Sequence, residues 1–236
     1  MTGYVSAMSY LLHYAPDNAS LIIRLALETG GIAYETVLVD RAARGQQSPD
    51  YLRLNPNGLI PVLETPDGAI FETGAILLWL ADRHPGLAPG PQDPARGDML
   101  KWLFYLSNTL HPALRMLFYP EKYIDNDIAA LRTRTKTNLA DMLDKLDAVV
   151  AGKPGWIGAT EPTILDAYLA CCLRWMALYP AGETGWFDLS RWPALERFAR
   201  VLDNDPATIR AAQAEGLGPT PFSAPHHANP PEGSAT

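Results

Sequence analysis

The chain has 236 residues, with 19 lysines and arginines against 26 aspartates and glutamates, and a formal net charge of −7. This acidic balance argues against a nucleic-acid-binding surface and against a polybasic patch for membranes. The length is enough for one large or two modest domains, each with its own hydrophobic core.

Nothing in the sequence predicts a membrane or secreted protein. No apolar run approaches the roughly 18–20 residues that cross a bilayer, and the first ten residues lack the basic start and long apolar core of a secretory signal. The two cysteines, Cys171 and Cys172, are adjacent in a helical pattern, which suits neither a disulfide framework nor a metal site. We therefore expect a cytoplasmic protein with two buried free thiols, no metal, and neither nucleic acid nor membrane as a partner.

The first third of the chain alternates between short strand patterns and helix patterns. The predicted order is a strand at 9–14, a helix at 19–31, a strand at 34–39, a short helix at 48–58, a hairpin at 59–71 and a helix at 72–84. Two strands joined by a helix imply a parallel pair, and the hairpin adds antiparallel neighbours. The sequence thus predicts a small mixed α/β sheet.

A linker then separates this region from an all-helical one. Residues 85–94, PGLAPGPQDP, contain four prolines and two glycines, which neither helix nor strand tolerates. After the linker, helix patterns cover 98–119, 128–150 and 163–179, followed by one or two more helices from Trp192. The predicted division is a first domain at 8–85, a helical domain at 94–214 and a flexible proline-rich tail at 215–236.

One short stretch, LIPVLETPDGAIFETGA at 59–75, combines a proline in a strand pattern with a polar helix start. Proline lacks an N–H and belongs at a sheet edge or bulge, so Pro61 predicts an edge strand with unpaired backbone groups beside Ile60. A peptide-like ligand can lie against such an edge as an extra strand, although a proline that merely blunts an edge against aggregation is an equal alternative. Thr73 is suited to cap the next helix, whose N-terminus favours a carboxylate, and Glu72 is suited to an ammonium group. Together they match the charges of an α-amino acid.

Residues 55–82, NPNGLIPVLETPDGAIFETGAILLWLAD, resemble the glutathione-binding half of the cytosolic glutathione S-transferases. That family has an N-P-x-G-x-[IV]-P-x-L segment with a cis proline, then a hairpin and an E-[ST] helix start. A second match is PTILDAYL at 162–169, which resembles the family's capping box, Thr163-x-x-Asp166. The resemblance implies a thioredoxin-like N-terminal domain, a helical-bundle C-terminal domain and a bacterial, beta- or nu-like member with an atypical catalytic loop. By resemblance, glutathione binds at Asn57, Leu59, Ile60, Pro61, Glu72 and Thr73.

An enzyme of this family must lower the pKa of the glutathione thiol, because the thiolate is the nucleophile. The resemblance places the thiol partner in HYAPDNASLIIR, residues 13–24, where members carry tyrosine, serine or cysteine. Here the serine position holds Asn18 and the cysteine position holds Ala19. We expect Asn18 or Ser20 to donate to the thiolate, with Tyr14 as a third candidate; for Asn18 and Ser20, a plain helix-capping role stays open.

The second substrate, a small hydrophobic electrophile, is expected between this loop and the first long helix of the second domain. Tyr105, Asn108 and His111 follow at three-residue steps, roughly on one helix face, and Tyr119 can add an apolar wall. By resemblance, His111 matches a histidine directed at the active site, although a core histidine is an equal alternative. The resemblance also implies a homodimer.

The sequence therefore predicts a glutathione transferase that activates the glutathione thiol for attack on a small electrophile. One alternative is a glutathione-dependent disulfide or peroxide reductase. Another is a non-catalytic glutathione-binding or scaffold protein of the same fold. A thioredoxin-type oxidoreductase is excluded because the chain contains no C-x-x-C motif.

Overall fold

The computed structural model describes residues 10–158 and 161–235. The predicted domain start at residue 8 and the last residue of the tail lie outside these ranges. Within them, the strands are β1 (Tyr10–Tyr14), β2 (Tyr34–Leu38), β3 (Val62–Thr65) and β4 (Gly68–Phe71). The helices are α1 (Ser20–Thr29), α2 (Pro49–Leu54), α3 (Thr73–Arg83), α4 (Arg96–Tyr105), α5 (His111–Phe118), α6 (Ile128–Ala151), α7 (Ile164–Leu178), α8 (Pro193–Asp203) and α9 (Pro206–Glu215).

The four strands form one mixed sheet in the order β2-β1-β3-β4. β1 runs parallel to β2 and antiparallel to β3, and β3 forms the hairpin with β4. Since successive strand residues point to opposite faces, Leu63 joins the main core while Val62 packs with Tyr51 of α2 on the other side. This is the predicted mixed sheet.

The helical domain is built around α7, every residue of which except Ala177 is buried. A capping box begins this helix: the Thr163 N–H donates to Asp166 Oδ2 at 2.7 Å, and the Thr163 hydroxyl caps the first turn. The sequence predicts this motif correctly. α1 packs against both α7 and α9, so the loop before α1 lies at the junction of the two domains. No helix of the described residues is both long and apolar enough to span a membrane.

The long helix predicted over 98–119 is interrupted. Leu106–Leu110 form a π-helical segment between α4 and α5, and Pro112 follows at the start of α5. A π turn holds one residue more than an α turn, which rotates the following side chains by about 100° relative to the preceding ones. The expected common face of Tyr105, Asn108 and His111 is therefore lost.

The proline-rich segment after α9 packs against both domains, whereas the sequence predicts a flexible tail. Phe222 is buried, and its N–H donates to the Asp203 carboxylate at 2.9 Å. Arg174 of α7 donates to the carbonyls of Pro221 at 3.1 Å and His226 at 3.0 Å. These buried hydrogen bonds hold the segment in place, although its proline-rich composition alone predicts a flexible tail.

Candidate functional site

Two adjoining cavities lie between the sheet domain and the helical domain. The smaller has a volume of about 260 Å³ and the larger about 860 Å³. Both are lined by Ala19, Ile60, His111 and Arg115, so they meet at the N-terminus of α1. A molecule in the smaller cavity can thus present one end to a second molecule in the larger.

Five of the six residues predicted to bind glutathione line the smaller cavity: Leu59, Ile60, Pro61, Glu72 and Thr73. The sixth, Asn57, does not line it. The backbone N–H of Asn57 donates to the Asn55 side chain, and Asn55, which the prediction omits, lines the cavity instead. Asn55 also donates to the Leu59 carbonyl at 2.7 Å and so fixes the loop before β3.

Glu72 combines an unpaired charge with a strained backbone. It is the N-cap residue of α3 and has φ 73°, a left-handed value that a residue with a side chain adopts at a cost of about 1–3 kcal/mol. Its exposed carboxylate has no hydrogen-bond or ion-pair partner among residues 10–158 and 161–235. Thr73 is the first helical residue rather than the predicted cap. A carboxylate held this way, beside a free helix N-terminus, is suited to an ammonium group with a carboxylate next to it.

Pro61 does not lie on an edge strand, contrary to the sequence prediction. β3 is flanked by β1 and β4, and Pro61 comes directly before it. The Ile60–Pro61 peptide bond is cis, as the resemblance implies. Ile60 makes no backbone hydrogen bond to another described residue, so its N–H and C=O are open to a ligand in the smaller cavity. The unpaired backbone is thus at the end of a central strand.

The three predicted thiol partners, in or beside the loop before α1, differ in whether they reach a cavity. Ser20 is fully buried, and its hydroxyl donates to the Ala15 carbonyl at 3.1 Å. Tyr14 is also buried, with its ring under Arg24 at 4.6 Å and its hydroxyl donating to Glu232. Burial and this hydrogen bond raise the pKa of Tyr14. Neither Ser20 nor Tyr14 lines either of the two cavities described above.

Asn18 is the predicted thiol partner that lines the larger cavity. Its side-chain amide donates to the Pro16 carbonyl at 3.0 Å and to the Ala235 carbonyl at 3.3 Å. The next residue, Ala19, is the N-cap of α1 and lines both cavities. The N–H groups of Ala19 and Ser20 have no backbone acceptor among the described residues, so they add positive potential where the cavities meet.

A buried charge network holds this loop against the helical domain. The Asp17 carboxylate accepts two hydrogen bonds from Arg174, at 2.8 and 3.0 Å, one from Trp175 Nε1 at 3.0 Å and one from the Tyr179 hydroxyl at 2.8 Å. The Asp17 N–H donates to Glu215, whose carboxylate also pairs with Arg24 at 2.7 Å. Burial raises the pKa of Glu215 to about 7, although Arg24 opposes this shift.

His111 is the predicted electrophile-site residue that lines both cavities. Its Nδ1 lies 3.0 Å from the Tyr168 hydroxyl, and its ring lies 5.4 Å from that of Trp175. Desolvation, with a contribution from the Arg115 charge, lowers the pKa of His111 to about 4. The imidazole is therefore neutral at physiological pH and acts through hydrogen bonds rather than charge.

The other predicted electrophile-site residues differ in whether they line one of the two cavities. Tyr119 lines the larger cavity together with Phe118, Trp175 and Tyr179, which gives that side an aromatic surface. Tyr105 and Asn108 line neither cavity: Tyr105 is the last residue of α4, and Asn108 lies within the π-helical segment and is exposed.

Sequence reasoning missed several residues of the site. Asp17 and Arg174 are 157 positions apart, so no local pattern links them. Arg115 follows His111 by four residues, one helical turn, and that spacing could have marked it. No group of three or more His, Cys, Asp or Glu side chains able to hold a metal ion occurs in the described ranges.

Comparison with known proteins decides the family. The family model "Glutathione S-transferase, N-terminal domain" matches residues 8–82, and "Glutathione S-transferase, C-terminal domain" matches residues 129–200. Glutathione S-transferase GST-4.5 of Xanthomonas campestris is 33% identical over 87% of this chain and 98% of its own length. The chain belongs to the glutathione S-transferase family. The predicted fold class, a thioredoxin-like domain followed by a helical domain, is confirmed.

Two further proteins are similar to this glutathione S-transferase family member. Disulfide-bond oxidoreductase YfcG of Escherichia coli is 28% identical over 88% of this chain and 96% of its own length. A glutathione transferase from Burkholderia graminis, solved with two glutathione molecules per subunit, is 27% identical with a TM-score of 0.75. Its match covers 89% of this chain and 90% of that one. The beta- or nu-like subclass stays a prediction.

Proposed function

We propose that this chain is a glutathione transferase that binds glutathione in the smaller cavity and activates its thiol for attack on a small electrophile in the larger one. The observation that carries the proposal is that Glu72, with an unpaired carboxylate on a strained backbone, lines the same cavity as the unpaired Ile60 backbone. Glu72 takes the γ-glutamyl ammonium, the N-terminus of α3 with Thr73 takes the neighbouring carboxylate, and Ile60 pairs with the cysteinyl backbone.

In this arrangement the thiol points to Ala19, where the two cavities meet. A lowering of the thiol pKa by two units requires about 2.7 kcal/mol. The Asn18 amide supplies about 1.5–3 kcal/mol through one charge-assisted hydrogen bond, and the N-terminus of α1 adds about 0.3–1 kcal/mol. Asn18 exchanges its longer hydrogen bond, the 3.3 Å contact with the Ala235 carbonyl, for one to the thiolate.

Calorimetry with glutathione, followed by a conjugation assay with 1-chloro-2,4-dinitrobenzene, tests this proposal. We expect binding at or below millimolar concentration and saturable conjugation. Cysteinylglycine, which lacks the γ-glutamyl group, is the control ligand and should bind much more weakly, because its only ammonium is on the cysteinyl nitrogen, several bonds short of the position that Glu72 contacts. Absence of glutathione binding at millimolar concentration would favour the non-catalytic scaffold protein.

The alternative reaction is glutathione-dependent reduction of a disulfide or peroxide. The cavity of about 860 Å³ favours it, because that volume leaves room for a second glutathione or a disulfide beside the first. The similarity to YfcG and to the Burkholderia graminis protein with two bound glutathiones adds support. One disulfide and two glutathione thiols give two product thiols and one glutathione disulfide, and no protein cysteine is required. Turnover of hydroxyethyl disulfide without turnover of 1-chloro-2,4-dinitrobenzene would identify this reaction.

We further propose that the protein is a cytoplasmic homodimer. Phe104 on α4 is 52% exposed, and this large apolar side chain is the contact that we assign to the subunit interface. Sedimentation of the wild-type chain and of a Phe104→Glu variant tests the assembly, and a monomeric wild type would contradict it. Both cysteines are free and buried, in keeping with a reducing compartment.

A further inference from the structure

Two arginines line the larger cavity, and they differ in what they contact. Arg41 follows β2 in the sheet domain, and its Nη1 donates to the Ala235 carbonyl at 2.9 Å. Arg115 lies on α5, is half-buried and lines both cavities. Its guanidinium makes no hydrogen bond and no ion pair within the part of the chain that the structure describes. None of these residues therefore neutralises the charge of Arg115.

The guanidinium of Arg115 lies towards the larger cavity. His111, Arg115 and Tyr119 follow at four-residue steps along α5 and its C-cap, which brings their side chains close together. Arg115 Cζ lies 5.8 Å from the centre of the Tyr119 ring, and Tyr119 lines the larger cavity but not the smaller. The positive charge is thus on the side where the second substrate is proposed to bind.

The other ionisable side chains of the larger cavity do not offset this positive charge. Asp17, the acidic residue among those that line it, is neutralised by its two hydrogen bonds from Arg174. His111 is neutral at physiological pH, and the N-terminus of α1 adds positive potential. The cavity is therefore positive, although the chain as a whole has a formal net charge of −7. A cleft lined by one sign of charge attracts ligands of the opposite sign.

The chemistry of the guanidinium indicates which anion fits. Its planar group presents N–H donors in a fork that matches the two oxygens of a carboxylate, and charge-assisted hydrogen bonds of this kind are among the strong ones. A half-buried guanidinium has also lost part of its hydration, and an anion in the cavity compensates for that loss. The aromatic side chains Phe118, Tyr119 and Trp175 line the same cavity and suit an apolar group next to the carboxylate.

We propose that Arg115 is a specificity-determining residue that selects second substrates with a carboxylate close to the carbon that the thiol attacks. This inference rests on the proposed function, in which glutathione occupies the smaller cavity and its sulfur points to Ala19. Arg115 borders that junction from the helical domain, whereas the residues proposed to hold the γ-glutamyl and cysteinyl units, Glu72 and Ile60, belong to the sheet domain. The substrate class is an electrophile with an apolar body and one carboxylate.

Calorimetry with S-(carboxymethyl)glutathione and S-(carbamoylmethyl)glutathione tests the inference. The two probes share the glutathione half and differ in whether the sulfur substituent ends in a carboxylate or in a neutral amide of the same size. We expect the wild-type protein to bind the carboxylate about tenfold more tightly, the effect of one charge-assisted hydrogen bond. Arg115→Met keeps an unbranched side chain without the charge and should reduce this affinity ratio to about one.

Two further variants separate a local contact from a general change of charge. Arg115→Lys keeps the positive charge and should retain part of the preference for the carboxylate. Arg134→Met removes one positive charge from an exposed position on α6 and should leave the ratio unchanged. If Arg115→Met does not fold, Arg115→Gln takes its place with the same expected ratio.

Three outcomes would overturn the inference: no preference in the wild type, an unchanged ratio in Arg115→Met, or the same fall in Arg134→Met. If Arg115→Met instead weakens glutathione and both probes by the same factor, Arg115 binds a carboxylate of glutathione itself. That result overturns the inference but leaves the proposed function standing. If the wild type binds neither glutathione nor the probes, the proposed function itself fails, so the two failures are distinguishable.

Discussion

Replacement of Asp17 by asparagine should destabilise the protein far more than the loss of one surface charge. Asparagine keeps the size of the side chain and tolerates the left-handed φ of 54° at this position, so the change removes mainly the charge. Each Asp17 oxygen accepts two hydrogen bonds, Oδ1 from Arg174 and Trp175, and Oδ2 from Arg174 and Tyr179. In either orientation, the new amide nitrogen faces two donors.

The expected loss follows from the environment of Arg174. Both side chains of the pair are 0% exposed, so the guanidinium would stay buried without a counter-charge. Removal of one partner of a buried ion pair costs about 3–5 kcal/mol in the free energy of unfolding. Urea unfolding followed by tryptophan fluorescence measures this loss by linear extrapolation.

Asp50→Asn is the matched control, because Asp50 pairs with Arg53 at 2.6 Å on the surface, with the two side chains 87% and 72% exposed. This variant should unfold at the wild-type urea concentration. The double variant Asp17→Asn with Arg174→Met removes both buried charges and should regain most of the stability that Asp17→Asn loses. A loss for Asp17→Asn no larger than that of the control would refute the reasoning.

Three further predictions concern the site. Glu72→Gln should raise the Kd of glutathione about 10- to 100-fold, because one charged contact is lost. The control variant Glu121→Gln, at a surface position elsewhere, should leave the Kd unchanged. Calorimetry measures both variants, and equal effects would contradict the role assigned to Glu72. Asn18→Ala should raise the pKa of the bound glutathione thiol by about one to two units. Ser20→Ala should leave that pKa unchanged, because the Ser20 hydroxyl donates to the Ala15 carbonyl. Ultraviolet titration of the thiolate measures both variants, and a shift in Ser20→Ala without one in Asn18→Ala would exclude Asn18 as the thiol partner. The pKa of His111 is lowered to about 4 in the folded state, whereas in the unfolded chain it is near 6.5. As the pH falls from about 6.5 to 4, the unfolded chain therefore takes up a proton at this residue before the folded protein does, and the free energy of unfolding decreases. His111→Gln should therefore lose less stability than wild type between about pH 7 and pH 4.5 in urea unfolding, and equal losses would refute this sign.

The fold could be predicted from the sequence because its signals are local. Hydrophobic periodicity marks the strands and helices, and the turn residues Thr65–Gly68 mark the hairpin. The position of Pro61 was misjudged, since strand order depends on pairing between distant segments. Proline before a strand looks the same in sequence whether that strand is central or at an edge.

The residues proposed to bind glutathione could be grouped for the same reason, since Leu59 to Thr73 form one short stretch and line the smaller cavity together. The rest depends on contacts that sequence spacing does not record. The π turn before Pro112 changes the face on which His111 lies relative to Tyr105, and the Asp17 network joins three distant helices. The tail was misread from its prolines, although Phe222 offered an apolar anchor that could have signalled packing.

The position of Ala235 has a practical consequence for work with this protein. Its carbonyl oxygen contacts Arg41 and Asn18, so a label attached to this residue would lie beside the cavity rather than in open solvent. A fluorescent dye at that position would then alter ligand affinities in a way that resembles an active-site mutation. Labels therefore belong on an exposed surface away from both cavities, and binding constants should be compared only between preparations that carry the label at the same place.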